Sequence, residues 1–283
     1  MSLSSSSAQH AATVLAAKLR KLRTDAGMSG RDLAELAGWH PSKVSRIENA
    51  RRTPSTADIR VWCGRCDVPD QAGDLIASLE AIEGMFVEWR EMERTGLKAA
   101  QESVIPTWER TRHFRIYSSQ LIPGPLQTAA YIAVLLTSLM HRRGLPDDIE
   151  EAVQVRVNKQ NVVHDGGRRI AVILEESVLR QPIGGVDVMA AQLGHLLSVS
   201  ILPSISLGII PLGADRSTIW PTEGFFMFDE AEVTVELVSG HLTVTQPHEL
   251  VMYADVFTKL ARLAVYGKAA RSIITSAVAA LDE

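Results

Sequence analysis

Cysteine occurs only twice in the chain's 283 residues, too sparse a supply for the disulfide framework on which many small secreted folds depend. Such usage suits a reducing compartment. No uncharged apolar run reaches the length of about eighteen residues that crosses a bilayer as a helix. The opening "MSLSSSSAQHAATVL" has no basic region leading into an apolar stretch, which argues against a secretory signal. With 46% hydrophobic and 22% charged residues, the chain is expected to be soluble and cytoplasmic, with ordinary buried cores and no membrane partner.

Catalytic spacings are missing too. The eight histidines are scattered, without H-E-x-x-H or comparable ligand spacing. Cys63-Gly-Arg-Cys66 has C-x-x-C spacing, but no second pair or histidine lies near it, so it reads as two small core residues. Glu175-Glu176 and His195 could be imagined as acid and base, yet no nucleophile elbow or phosphate loop accompanies them, and the glycine pairs at 166 and 184 are ordinary turns. We therefore expect no enzyme, no cofactor and no metal.

What is present is uneven. Length alone suggests two domains. Residues 1–67 carry eleven Lys or Arg against six Asp or Glu, a net of +5, whereas residues 68–283 carry eighteen against twenty-seven, a net of −9. A basic head on an acidic body is expected of a chain whose first part meets phosphate and whose second meets something else.

The head can be read residue by residue. From Thr13 to Ala26, Val14, Leu15, Leu19 and Leu22 follow a helical period, and Gly27 is a stop signal. Ser29 and Asp32 have capping-box spacing at the start of a second helix, whose Leu33, Ala34, Leu36 and Ala37 give it a face that another helix can approach closely. Gly38 permits the left-handed turn between them. Pro41 suits the first position of a third helix, with Val44 and Ile47 inward and Ser42, Lys43, Ser45, Arg46 and Asn49 outward.

In a recognition helix the N-terminal outward residues face base edges in the major groove. Arg46 lies one turn beyond Ser42, and its planar fork can donate two hydrogen bonds to guanine O6 and N7, worth about 1–3 kcal/mol of discrimination. Arg51 and Arg52 follow, placed for phosphate, and Ser55 to Asp58 forms a second capping box that opens a fourth helix. The expected contacts to double-stranded DNA are Arg31, His40, Ser42, Lys43, Ser45, Arg46, Asn49, Arg51 and Arg52.

Leu15 to about Val68, and "VSRIENARRTPS" within it, resembles the Cro/cI-like (xenobiotic-response-element) helix-turn-helix family. The resemblance implies a five-helix DNA-binding domain and an ion pair between Arg23 and Glu48. Ala50 stands where that family often has glycine, so a less sharply turned exit from the third helix is expected.

Beyond the head, Asp70 to about Thr95 reads as one helical run through Leu75, Leu79, Ile82, Phe86, Trp89 and Met92. Pro123-Gly-Pro breaks the chain, and helices are expected over 126–140, 147–164, 186–200 and 246–281. "RIAVILEES", "ISLGIIP", "GFFMF" and "EVTVELVSG" read as strands. The fold class expected is a mainly α helix-turn-helix domain plus an α+β C-terminal domain. The divisions are a disordered tail over 1–12, the helix-turn-helix over 13–68, a helical connector over 69–110 and the α+β domain over 111–283.

The blocks "IYSSQLIPGPLQTAAYIAVLL", "VRVNKQNVV" and "VILEESVLRQPIGGVDVMAAQLGHLL" resemble an uncharacterised domain that follows the helix-turn-helix of many actinomycete regulators. That resemblance implies a regulator of development or secondary metabolism, associated with the nucleoid and encoded beside a small partner protein in an antitoxin-like arrangement. Arg156, Glu175, Arg180, Gln192 and Pro123-Gly124 lie in the matching blocks and read mainly as structural. Two readings of the body stay open: it forms a homodimer and binds that partner, or it holds a small-molecule effector.

Overall fold

Apolar residues at every third or fourth position wind the first helix, α1 (Ser6–Asp25), and bury Leu15 and Leu19 against α2 (Gly30–Ala37), α3 (Pro41–Glu48), α4 (Thr56–Arg65) and α5 (Ala72–Gly84). The computed structural model describes residues 6–84 and 86–281. The expected tail over 1–12 lies outside the described residues at 1–5, and from Ser6 it is helical rather than disordered. Alanine-rich sequence favours the helix there, and Ala11 and Ala12 pack against the core.

Two compact units divide the chain, Met1–Val87 and Glu88–Glu283. The stretch 69–110, expected as one connector, is split between them. Leu75, Leu79 and Ile82 of α5 are buried in the same cluster as Leu33, Val44, Ile47, Ile59 and Trp62, because an apolar stripe on a helix has to be covered and the open side of the head covers it. The helix ends at Gly84, and the β-favouring Phe-Val that follows belongs to strand β1 (Phe86–Glu88). Next come α6 (Trp89–Met92), α7 (Leu97–Ser103) and α8 (Ile105–Arg110).

The second unit is α+β. It continues with β2 (His113–Ser118), α9 (Ala129–Arg143), α10 (Ile149–Lys159), β3 (Arg169–Glu175), α11 (Glu176–Leu179) and α12 (Val186–Val199). After these come β4 (Ile205–Ile210), β5 (Phe225–Phe228), β6 (Glu232–Glu236), β7 (Gly240–Val244), α13 (Pro247–Leu263), β8 (Val265–Tyr266) and α14 (Gly267–Ala279). The helix expected over 246–281 is interrupted at β8, where Gly267 takes φ 56° and Tyr266 lies so close to Gly208 that a Cβ there would come within 2.7 Å of its ring.

From β7 the strands run β7-β6-β5-β2-β3-β4-β8. The three central strands are parallel, with Ile116 opposite Val172 and Val172 opposite Leu207, and the flanking pairs are antiparallel. Alternation sorts the side chains. Phe114, Ile116, Ile170, Val172 and Leu174 join α12 and α14 in one core, while Tyr117, Ile173, Phe225, Met227 and Val235 join α13 in another.

Most polar residues singled out in this unit serve the fold. Gln192 is wholly buried, accepting the Thr128 backbone N–H and donating to the Leu126 carbonyl, both at 2.7 Å. Gln160 Nε2 donates to the carbonyls of Gly124 and Gln127, which holds the Pro-Gly-Pro turn. Glu175 accepts from the Tyr117 hydroxyl at 2.8 Å and pairs with Arg216, and Arg180 pairs with Glu176. Among the described residues no helix is long and apolar enough to cross a membrane.

Candidate nucleic-acid interface

The angle between α2 and α3 is set by local chemistry. Ser29 Oγ accepts from the Asp32 N–H at 3.2 Å while the Asp32 carboxylate accepts from the Ser29 N–H at 2.8 Å, so α2 starts at a defined residue. It stops at Gly38, whose φ of 68° is the left-handed conformation expected of that turn. Pro41 then opens α3, and the cap is His40: its Nδ1 accepts from the Ser42 N–H at 3.2 Å and lies 2.8 Å from Ser42 Oγ.

Val44 and Ile47 face the core as expected. The end of α3 is tied to α1 by Arg23, whose Nε and Nη2 donate to the two carboxylate oxygens of Glu48 at 2.5 and 3.0 Å, while Nη1 donates to the Met28 carbonyl. The fork geometry joins two helices whose pairing residues are nearly enclosed. The Glu48 hydrogen bond raises the Arg23 pKa against the opposing effect of burial.

The exit from α3 differs from expectation. Ala50 adopts φ 51°, and the N–H groups of Ala50 and Arg51 donate to the carbonyls of Ile47 and Arg46 at 3.0 and 2.8 Å. This is the double hydrogen-bond closure usually given to glycine, so the chain turns as sharply as it would with glycine, at the cost of a strained alanine.

The nine expected DNA contacts fall into distinct groups. Ser45, Arg46 and Asn49 are exposed on the outer side of α3 and Ser42 is half-buried there, with His40 exposed at its start. Arg46 is held along this face, Nε donating to the Ser42 carbonyl at 3.1 Å and Nη2 to Ser42 Oγ at 2.9 Å. Asn49 Nδ2 donates to the Ser45 carbonyl at 2.7 Å. Arg31, on α2, and Arg51 and Arg52, beyond α3, are exposed and make no side-chain hydrogen bond or ion pair among the described residues.

Lys43 points elsewhere. Its Nζ lies 2.6 Å from Asp58 Oδ1 and 4.1 Å from the centre of the Trp39 ring, so the ammonium is spent on holding α3 to α4. Asp58 does double duty, since its other oxygen accepts from the Ser55 N–H in the second capping box. Burial opposes the charge on Asp58, but the Lys43 ammonium and the Ser55 N–H outweigh it and hold the carboxyl below its usual range. The role of Trp39 and the capping role of His40 were not read from the sequence; the one available sign was the position of His40 just ahead of Pro41.

Cys63 and Cys66 are free thiols in the head's core. Burial, and secondarily the neighbouring Cys63, push Cys66 up to about 11, so it is not poised as a thiolate nucleophile.

Residues 14–75 match the family described as a helix-turn-helix domain, and residues 109–276 match the family described as a domain of unknown function (DUF5753). No curated protein is similar in sequence to the chain. Among solved structures, TrmBL2, described as an archaeal chromatin protein with a novel mode of DNA binding, is similar at 10% identity over 85% of this chain and 88% of its own. Its TM-score of 0.30 is too low to carry an argument. The helix-turn-helix match agrees with the geometry of α2 and α3, and the first unit is a DNA-binding head.

Proposed function

The chain belongs to the DUF5753 family, and from that premise we propose that it is a sequence-specific transcriptional regulator whose second unit dimerises and receives a signal. The observation that carries the reading is the outer face of α3. Arg46 stands exposed between Ser42 and Asn49 while Lys43 is tied inward, so one planar cation is presented where a groove-reading helix needs it. The family resemblances noted in the sequence support an xenobiotic-response-element type of head, a role in development or secondary metabolism, nucleoid association, and an antitoxin-like pairing with a small protein encoded nearby. No catalytic step is part of the proposal.

Exposed apolar residues on the second unit, Val251 and Met252 on α13 and Trp220 ahead of β5, support its use as a docking surface for a second copy or a partner. The small-molecule reading has its own observation, a cleft beside α10. The test of the main reading is Arg46→Ala against Arg51→Ala. Arg46→Ala should weaken binding to a selected operator duplex by about 1–3 kcal/mol, roughly fivefold to 150-fold, while binding to random duplex stays the same. Arg51→Ala should weaken both and lower the salt slope by about one. Equal losses on both duplexes for Arg46→Ala, in protein whose circular dichroism is unchanged, would remove it from base reading.

A further inference from the structure

We infer that the cleft between α8, α10 and the turn following α10 is a binding site for a small monoanionic carboxylic acid with an apolar body. Its volume is about 420 Å³, within the range of roughly 300–1,000 Å³ typical of small-molecule sites. Trp108, Ile105, Val155 and Val162 supply apolar wall, and Asn158 supplies an amide. Lys159 also lines it, its Nζ 4.8 Å over the centre of the Trp108 ring and, among the described residues, donating only to the amide oxygen of Gln101, at 3.3 Å.

Neither Lys159 nor its neighbour Arg156, three residues earlier on α10, forms an ion pair among the described residues. Two like charges at that spacing repel one another. The opposite charge that acts on both is Glu236, an exposed residue at the end of β6. Desolvation, with Arg156 adding to it, pushes the Lys159 amine down to about 7. Methionine or leucine would fill the same wall without that penalty, so a lysine standing in this cleft without an ion pair is short of an anion.

The rim limits what that anion can be. Glu102 and Glu109 stand exposed at the mouth, and Asp165 is already paired with Arg168 at 2.8 Å. These carboxylates repel a phosphate-rich or multiply charged molecule, and a single carboxylate meets the ammonium with the least repulsion. Ile105, Val155 and Val162 offer an apolar wall for the body behind it.

As the signal of a regulator this acid rests on the function proposed above; as a ligand it does not, and the test keeps the two apart. Indole-3-acetate, and tryptamine as its cationic counterpart, are titrated calorimetrically into the full-length chain and into Lys159→Met and Lys159→Arg. The expected result is that indole-3-acetate binds at least tenfold more tightly than tryptamine. Lys159→Met should lose at least tenfold in affinity for the acid while its Tm rises, and Lys159→Arg should keep the preference for the acid. No heat from either compound, equal affinity for both, or undiminished binding of the acid by Lys159→Met would overturn the site. Binding of a selected operator duplex is measured on the same preparation: intact DNA binding with a failed titration sinks the cleft alone, and loss of DNA binding with a successful titration sinks the regulator alone.

Discussion

Arg46, Lys43 and Ala50 lie within one turn or two of each other, and each is governed by a different balance. Arg46 rests on Ser42, a hydrogen bond that a guanine edge can replace at little cost because both partners are already exposed or half-exposed. Ala50 pays for its left-handed conformation with local strain. Replacing it by glycine should stabilise the head by about 1 kcal/mol, read as a shifted denaturation midpoint with an unchanged m value, since glycine meets no Cβ penalty there. No shift, or a downward one, would mean that the entropy glycine adds to the unfolded chain offsets the relief. Asp58 sets a pH dependence. Its folded pKa is depressed, so the stability it contributes is fully present above the unfolded value of about 4 and is lost as pH falls through and below it. The stability gap between wild type and Asp58→Asn should therefore be constant near neutrality and close in acid; a gap independent of pH would show that the charge itself contributes nothing.

At the scale of elements, the buried amide of Gln192 joins α12 to the turn before α9, satisfying one donor and one acceptor that make no other hydrogen bond among the described residues. Gln192→Leu keeps the volume and strands both groups, so it should cost about 1–3 kcal/mol in chemical denaturation. A loss well below that would mean that water reaches the Leu126 carbonyl. Element boundaries inside the head were legible in the sequence because capping chemistry is local: Ser29 with Asp32, Ser55 with Asp58, and Gly38 all act within four residues. The end of α5 was not. Phe86 and Trp89 continue a helical period in sequence, and only the break after Gly84 removes them from the helix.

For the whole molecule, a single short recognition helix reads few base pairs, so the regulator proposed here should act as a homodimer on two half-sites about 34–36 Å apart. Light scattering at micromolar concentration and footprinting on a selected operator check this together; a monomer protecting one unsymmetrical half-site is the contrary result. If a small partner protein is the signal, operator DNA and partner must change each other's affinity by the same factor, commonly about 5–150-fold, because coupling between two binding sites is reciprocal. Unequal factors would place the partner's effect outside binding equilibrium.

The sequence by itself determined what depends on neighbours a few residues away: the caps of α2 and α4, the turn at Gly38, the inward Val44 and Ile47, and the exposure of Arg46. It also carried the continuous apolar runs that mark β3, β4 and β5 as buried strands. Tertiary structure alone decided the rest. Lys43 looked free until Asp58, fifteen residues on, and the Trp39 ring took its charge. The parallel order of β2, β3 and β4, and the meeting of Lys159 with Trp108 across the cleft beside α10, likewise join residues far apart in the chain. Periodicity tells which face of an element is apolar; which partner covers that face, and which charge meets which across it, is settled only when the chain closes on itself.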